Sequence, residues 1–176
     1  MISFEEAEKI ALRHIDADCV LLKEAIVEKP YGWYFHTQSK KYIETGNISY
    51  MLAGSGGFIV EKEIGKVIEF GSAFPREKNF KIYEKGLIGR SDLVVLKVRD
   101  TKETVKLLNS LQMIYVEPEF EYGIEWKIPK IYNEKQLKGA ISKSPCVFEN
   151  QNFYFSYEAF QKIDNAKCFD YELRKY

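Results

Sequence analysis

The stretch Tyr31-Gly32-Trp33-Tyr34-Phe35-His36-Thr37-Gln38-Ser39 constrains the fold more than any other in the chain. Its aromatic and β-branched residues fit a pleated, half-buried surface. Read at the two-residue period of a strand, Trp33, Phe35 and Thr37 share one face, while Tyr34, His36 and Gln38 share the other. Pro30-Tyr31-Gly32 supplies a turn or bulge before it. After it, Asn47 as N-cap and Gly54 as the residue past the last turn predict a short helix. The segment therefore predicts antiparallel strands joined by tight turns, with a helix of barely two turns between them.

Ser3 with Glu6 three residues on forms a capping box, and Phe4, Ala7, Ile10 and Ala11 recur at helical spacing. The spacing predicts an amphipathic helix over 4–15. Strands are expected at 19–28 and 31–38, and a hairpin of 57–62 with 66–72 about Ile64-Gly65. The first half then reads helix, two strands, short helix, two strands.

The second half repeats that order. Leu93-Val94-Val95-Leu96 marks a buried strand over 92–98, and Asp100 to Glu103 opens a helix carrying Val105, Leu107, Leu108 and Leu111. Strands at 113–120 and 122–128 follow, then a helix at 134–142. A hairpin of 146–148 with 153–155, turned by 149–152, precedes a short helix at 157–163. Tyr122-Gly123-Ile124-Glu125-Trp126 lies 91 positions after Tyr31-Gly32-Trp33-Tyr34-Phe35. A diverged internal duplication explains this, and so do two unrelated α+β units built from common pieces. The expected class is α+β: a helix packed on an antiparallel sheet in 1–90, and a second α+β unit of similar order in 91–176 packed on the first.

A chain of 176 residues with 45% hydrophobic content can bury a full core. Its 26 basic and 26 acidic residues divide evenly, 13 of each in 1–90 and 13 of each in 91–176. Neither half has the bulk charge of a nucleic-acid binder or of an acidic mimic of nucleic acid, so no nucleic-acid partner is expected. Met1-Ile2 leads straight into the first helix with no signal-peptide pattern, and no apolar run approaches the roughly 18 to 20 residues needed to span a bilayer. Cys19, Cys146 and Cys168 are odd in number and lack a Cys-x-x-Cys pair. That pattern suits reduced thiols in a cytoplasm and gives no sign of zinc.

No catalytic motif is present. A nucleophilic cysteine needs a histidine, and only His14 and His36 exist. His14, near the end of the first helix, and Cys19, at the start of the next strand, are neighbours in sequence, but a buried thiol beside a helix-end histidine is the ordinary structural outcome. No Asp or Glu stands beside either histidine at metal-ligand spacing. Gly54-Ser55-Gly56-Gly57 precedes a strand, whereas a phosphate cradle needs a helix N-terminus.

The aromatic strand, Tyr42-Ile43-Glu44-Thr45-Gly46, Leu52-Ala53-Gly54, Gly57-Phe58-Ile59-Val60, Gly65-Lys66-Val67 and Gly71-Ser72-Ala73-Phe74-Pro75 together resemble the N-terminal region of the bacterial immunity protein 35 family over roughly residues 1–85. The resemblance implies a small α+β protein, encoded beside a secreted toxin, that neutralises it by binding; with the missing catalytic motif, signal peptide, apolar span and ligand spacing, the expected protein is cytoplasmic and works stoichiometrically, without catalysis, cofactor, metal or membrane. The alternatives are a small thiol-dependent enzyme and a stand-alone stress or housekeeping protein sharing the domain. Two surfaces are candidates for the toxin. One is Tyr34, Gln38, Tyr42 and Glu44 with the loops near 54–57, because tyrosine gives large contact area at low entropy cost. The other is Glu117, Glu119 and Glu121, a row at strand period that suits a basic partner or simply guards an edge, with Pro118 marking the edge position. The even charge balance favours the first surface. The sequence leaves the oligomeric state open.

Overall fold

A computed structural model describes residues 1–175. The chain divides into two compact units, residues 1–80 and residues 81 onward. No helix among the described residues is long and apolar enough to cross a membrane.

The first unit opens with α1, Phe4–His14. Ser3 Oγ accepts the Glu6 amide at 3.3 Å while Glu6 Oε2 accepts the Ser3 amide at 2.8 Å, closing the expected capping box. Glu5 and Glu6 stand at the positive end of the helix and Arg13 and His14 at the negative end. Six strands follow in part as expected: β1 (Cys19–Leu21), β2 (Val27–Lys29), β3 (Gly32–Phe35), β4 (Thr37–Ser39), β5 (Ser55–Glu61) and β6 (Val67–Gly71). They form an antiparallel sheet of order β2-β3-β5-β6 and a separate β1-β4 pair.

One face of the larger sheet holds Trp33, Phe35, Phe58 and Val60 against Ala7 and Ala11 of α1. The alanines let the helix lie close, and Phe4 stacks on Phe35 at 6.4 Å and meets Trp33 edge-on at 6.0 Å. The opposite face carries Tyr34 opposite Ile59, roofed by Phe70 and Phe80.

The expected short helix sits elsewhere. α2 is Lys40–Thr45, capped by Ser39, whose Oγ accepts the Tyr42 amide at 3.0 Å, and ended by Gly46 at φ +64°. Asn47 caps only a 3-10 turn, Ile48–Tyr50, and Gly54 lies in the following loop. α3, Arg76–Glu84, was not expected, and the boundary between the units falls within it.

In the second unit β7 (Arg90–Val98), α4 (Thr101–Ser110), β8 (Ile114–Glu121), β9 (Ile124–Ile131) and α5 (Glu134–Ile141) lie where the pattern places them. The end differs. β10, Cys146–Asn152, pairs with β7 and not with 153–155, and β11, Phe169–Lys175, was missed beyond α6, Tyr157–Ala166. What reads as a turn at 149–152 is a bulge, with Asn150 at φ +55° and its amide held by Asp92 Oδ1 at 2.8 Å. The sheet order β10-β7-β11 puts the apolar run Leu93-Val94-Val95 on the central strand, where all three are buried. β8 and β9 form a two-stranded ribbon of their own. Both units are thus helices on antiparallel sheet, the α+β class, but the first sheet is a meander and the second is built around β7.

Candidate functional site

Two clefts flank the start of β5 in the first unit. One, about 440 Å³, is lined by Tyr34, His36, Ser55, Gly56, Phe74 and Arg76. Tyr34 is 3% exposed. Its hydroxyl donates to the Gly56 carbonyl at 2.9 Å and lies 3.4 Å from His36 Nδ1. The Arg76 guanidinium stands 5.8 Å from the ring centroid. Burial raises the pKa of the phenol, so Tyr34 is a protonated donor. The ring also dictates its neighbour. Gly57 has φ +75°, and a Cβ there would fall on Tyr34 Oη and come within 2.6 Å of the Phe35 carbonyl oxygen.

The other cleft, about 380 Å³, contains His14, Asp16, Cys19, Thr37, Phe58 and Glu69 among its walls. His14 and Cys19 do share this space, yet not as a catalytic pair. His14 Nε2 hydrogen-bonds Glu69 Oε1 at 2.9 Å and its ring packs on Phe58 at 4.8 Å. The Cys19 thiol donates to Asp18 Oδ1 at 3.7 Å. Burial first, then the charges of Asp18 and Asp16, push the thiol pKa up. A nucleophilic thiolate needs the reverse, a cation or helix N-terminus beside the sulfur. Asp16, Asp18 and Cys19 bring their donor atoms within 4.8 Å of one another. Two exposed carboxylates with one protonated thiol match neither an all-oxygen calcium set nor a tetrahedral zinc set.

The first candidate surface is redistributed by the fold. Gln38, 8% exposed, turns inward, where its Oε1 accepts the amides of Ser39 at 2.8 Å and Leu52 at 2.6 Å. Ser39 Oγ donates to the Tyr50 carbonyl at 2.5 Å. These bonds tie the loop after α2 to β4, so Gln38 is a loop anchor. Tyr34 is likewise internal, covered by Phe70 and Phe80, a burial that the strand period alone does not reveal. Tyr42 is half-buried on α2 and Glu44 is exposed.

Glu117, Glu119 and Glu121 belong to the second unit, on one face of the β8–β9 ribbon. Lys130 reaches Glu117 at 2.6 Å and Glu119 at 2.8 Å, and those bonds raise the lysine's pKa. Opposite Glu119 and Glu121 on the same face stand Trp126 and Ile124. The sequence places both in the candidate duplication but not among the site residues, although the Tyr122-Gly123 turn between two alternating runs fixes the register that puts them there. Elsewhere in this unit, Lys102, Lys106, Lys135 and Lys138 line a groove of about 1070 Å³ between α4 and α5, interspersed with Glu103 and Glu134.

Residues 6–83 match the family model described as Immunity protein 35. The uncharacterized protein YrhB of Escherichia coli (strain K12) is 32% identical over 85 residues, which cover 48% of this chain and 90% of that protein. No solved structure matches. The matched residues hold both clefts and end within α3, and through them the chain belongs to the Immunity protein 35 family.

Proposed function

We propose that this chain is an immunity protein that binds a cognate bacterial toxin one to one, in the cytoplasm of the cell that makes both, and blocks it without turning anything over. The observation that carries the reading is the match of residues 6–83 to Immunity protein 35. The cleft that comes nearest to an active site supports it, since Cys19 is held as a thiol by burial and by two carboxylates, and His14 is engaged by Glu69. The thiol-enzyme alternative finds no activated nucleophile there.

The test is protection. Cells expressing the toxin domain encoded beside this chain should survive when the chain is co-expressed, and the purified pair should co-elute at equal stoichiometry. Protection by a catalytic trace of the chain, far below one equivalent, would refute neutralisation by binding.

A further inference from the structure

The β8–β9 ribbon is built as an arm. Its eight pairs run from Ile114 opposite Ile131 to Glu121 opposite Ile124, closed by Tyr122 and Gly123 at φ +51° and +78°. Positive φ at both turn residues matches the twist of the strands and fixes the register. The base is pinned. The buried Gln151 amide clasps Ile114 as a strand would, its Oε1 accepting the Ile114 amide and its Nε2 donating to the Ile114 carbonyl, both at 2.8 Å. Tyr115 packs on Tyr132 at 4.8 Å and receives a hydrogen bond from Gln136 at 3.0 Å.

Beyond Tyr115 the arm stands in solvent, with Phe120 75%, Tyr122 94%, Ile124 56% and Trp126 51% exposed. A two-stranded ribbon is marginal in water, and large exposed aromatics at its tip mark an interaction site. Its edges are each interrupted against strand addition. In a two-residue hairpin the closing pair Glu121–Ile124 is hydrogen-bonded, and the pattern alternates from there. Pro118 opposite Lys127 and Pro129 opposite Val116 therefore fall at positions whose amide would point outward. Each free edge has lost a donor to a proline, so docking is by a face.

The chemistry of one face names the occupant. Glu117, Glu119 and Glu121 form a row on β8, and Ile128, Trp126 and Ile124 form an apolar row beside it on β9. Lys130 is one cation shared by two of the three carboxylates. We propose that this face docks a basic protein surface, one whose lysine or arginine side chains are spaced to meet the carboxylates while an apolar or guanidinium group covers Trp126. The proposal rests on the immunity reading and specifies its partner as a cationic toxin, bound by an element outside residues 6–83.

The experiment measures association of the full chain with the neighbouring toxin domain, for the wild type, the E117Q/E119Q/E121Q variant, W126A and Y42A. These positions are exposed or half-buried, and circular dichroism confirms that each variant folds. The triple variant should lower the association rate about tenfold at about 0.05 M salt, and the difference should largely vanish at about 0.5 M. W126A should weaken binding about thirtyfold, mainly through faster dissociation. If Y42A abolishes binding while the arm variants bind normally, the arm proposal is overturned and the immunity reading stands. If the wild type does not bind the toxin at all, both fall. Wild-type dimers in sedimentation that W126A dissolves, with toxin binding unchanged, would make the arm a contact between copies and overturn the proposal.

Discussion

Replacing Gly57 by alanine separates two costs that a glycine can hide. At φ +75° any side chain is strained, by roughly 1 to 2 kcal/mol. The second cost is steric: the new Cβ would lie 2.5 Å from Tyr34 Cζ and 2.6 Å from the Phe35 carbonyl oxygen. Tyr34 cannot swing away, because Phe70 and Phe80 pack on its ring at 6.4 and 5.3 Å and its hydroxyl is bonded to Gly56. Overpacking of this kind costs about 1 to 3 kcal/mol more. Gly54 is the matched control, with φ +90° and nothing within 4 Å of its ideal Cβ. We expect Gly54→Ala to destabilise the first unit by about 1 to 2 kcal/mol and Gly57→Ala by about 2 to 5 kcal/mol, the difference being the steric cost. Urea unfolding followed by the fluorescence of buried Trp33, in a Trp126→Phe background, reads the first unit directly. Equal losses in the two variants would show that the Tyr34 ring does not constrain β5 as described.

Three further outcomes follow from particular contacts. Burial raises the pKa of Tyr34, Tyr132 and Tyr171, so the unfolded chain releases these protons first; their contribution is intact below the ordinary tyrosine value near 10 and is lost as pH rises through the folded values, and Tyr34→Phe should flatten that decline in urea melts taken from about pH 9 to about pH 11. Cys19→Ser should keep toxin protection and lose about 1 kcal/mol of stability, and a folded Cys19→Ser protein without protection would restore the thiol mechanism. Gln151→Ala removes both bonds to Ile114 and should cost about 2 kcal/mol, with faster amide exchange along 114–131; unchanged exchange there would mean that the clasp does not hold the arm.

The legible parts of the fold are those whose signals are local. Ser3 and Glu6 announce α1 because both partners of the capping box lie within one turn, and Gly65 at φ +71° closes the β5–β6 hairpin where the glycine stands. α3 was hidden because its buried face is short and partly polar, Asn79 standing between Phe80 and Ile82 around the helix in a segment rich in charged residues, so no clear apolar stripe shows in the sequence. Asn150 misled because asparagine tolerates positive φ equally in a hairpin turn and in a bulge, and only the partner strand β7 distinguishes them. β11 has the right alternation in Phe169, Tyr171 and Leu173, but the helix before it ends on Lys167 at φ +50°, with no glycine to mark the turn. The same limit applied to the site. Period two assigns Tyr34 and Gln38 to the face opposite Trp33, yet whether that face meets solvent depends on Phe70, Phe80 and the Leu52 loop, which no strand pattern contains.

Trp33 and Trp126 sit in similar strand contexts, each shortly after a Tyr-Gly pair, and end in opposite environments. Ala7 and Ala11 of α1 belong to the core that encloses Trp33, whereas Trp126 is half exposed on a ribbon that is pinned at its base. The difference follows the limits of the family match. Trp33 lies within residues 6–83, in the core of the first unit, while Trp126 lies outside them. The relative from Escherichia coli is nine-tenths accounted for by 85 residues, too short a chain to hold both units. The arm therefore lies outside the residues that match the family model. Substitutions on the exposed arm remove no side chain from the aromatic core of the first unit, so they test recognition separately from the packing of that core.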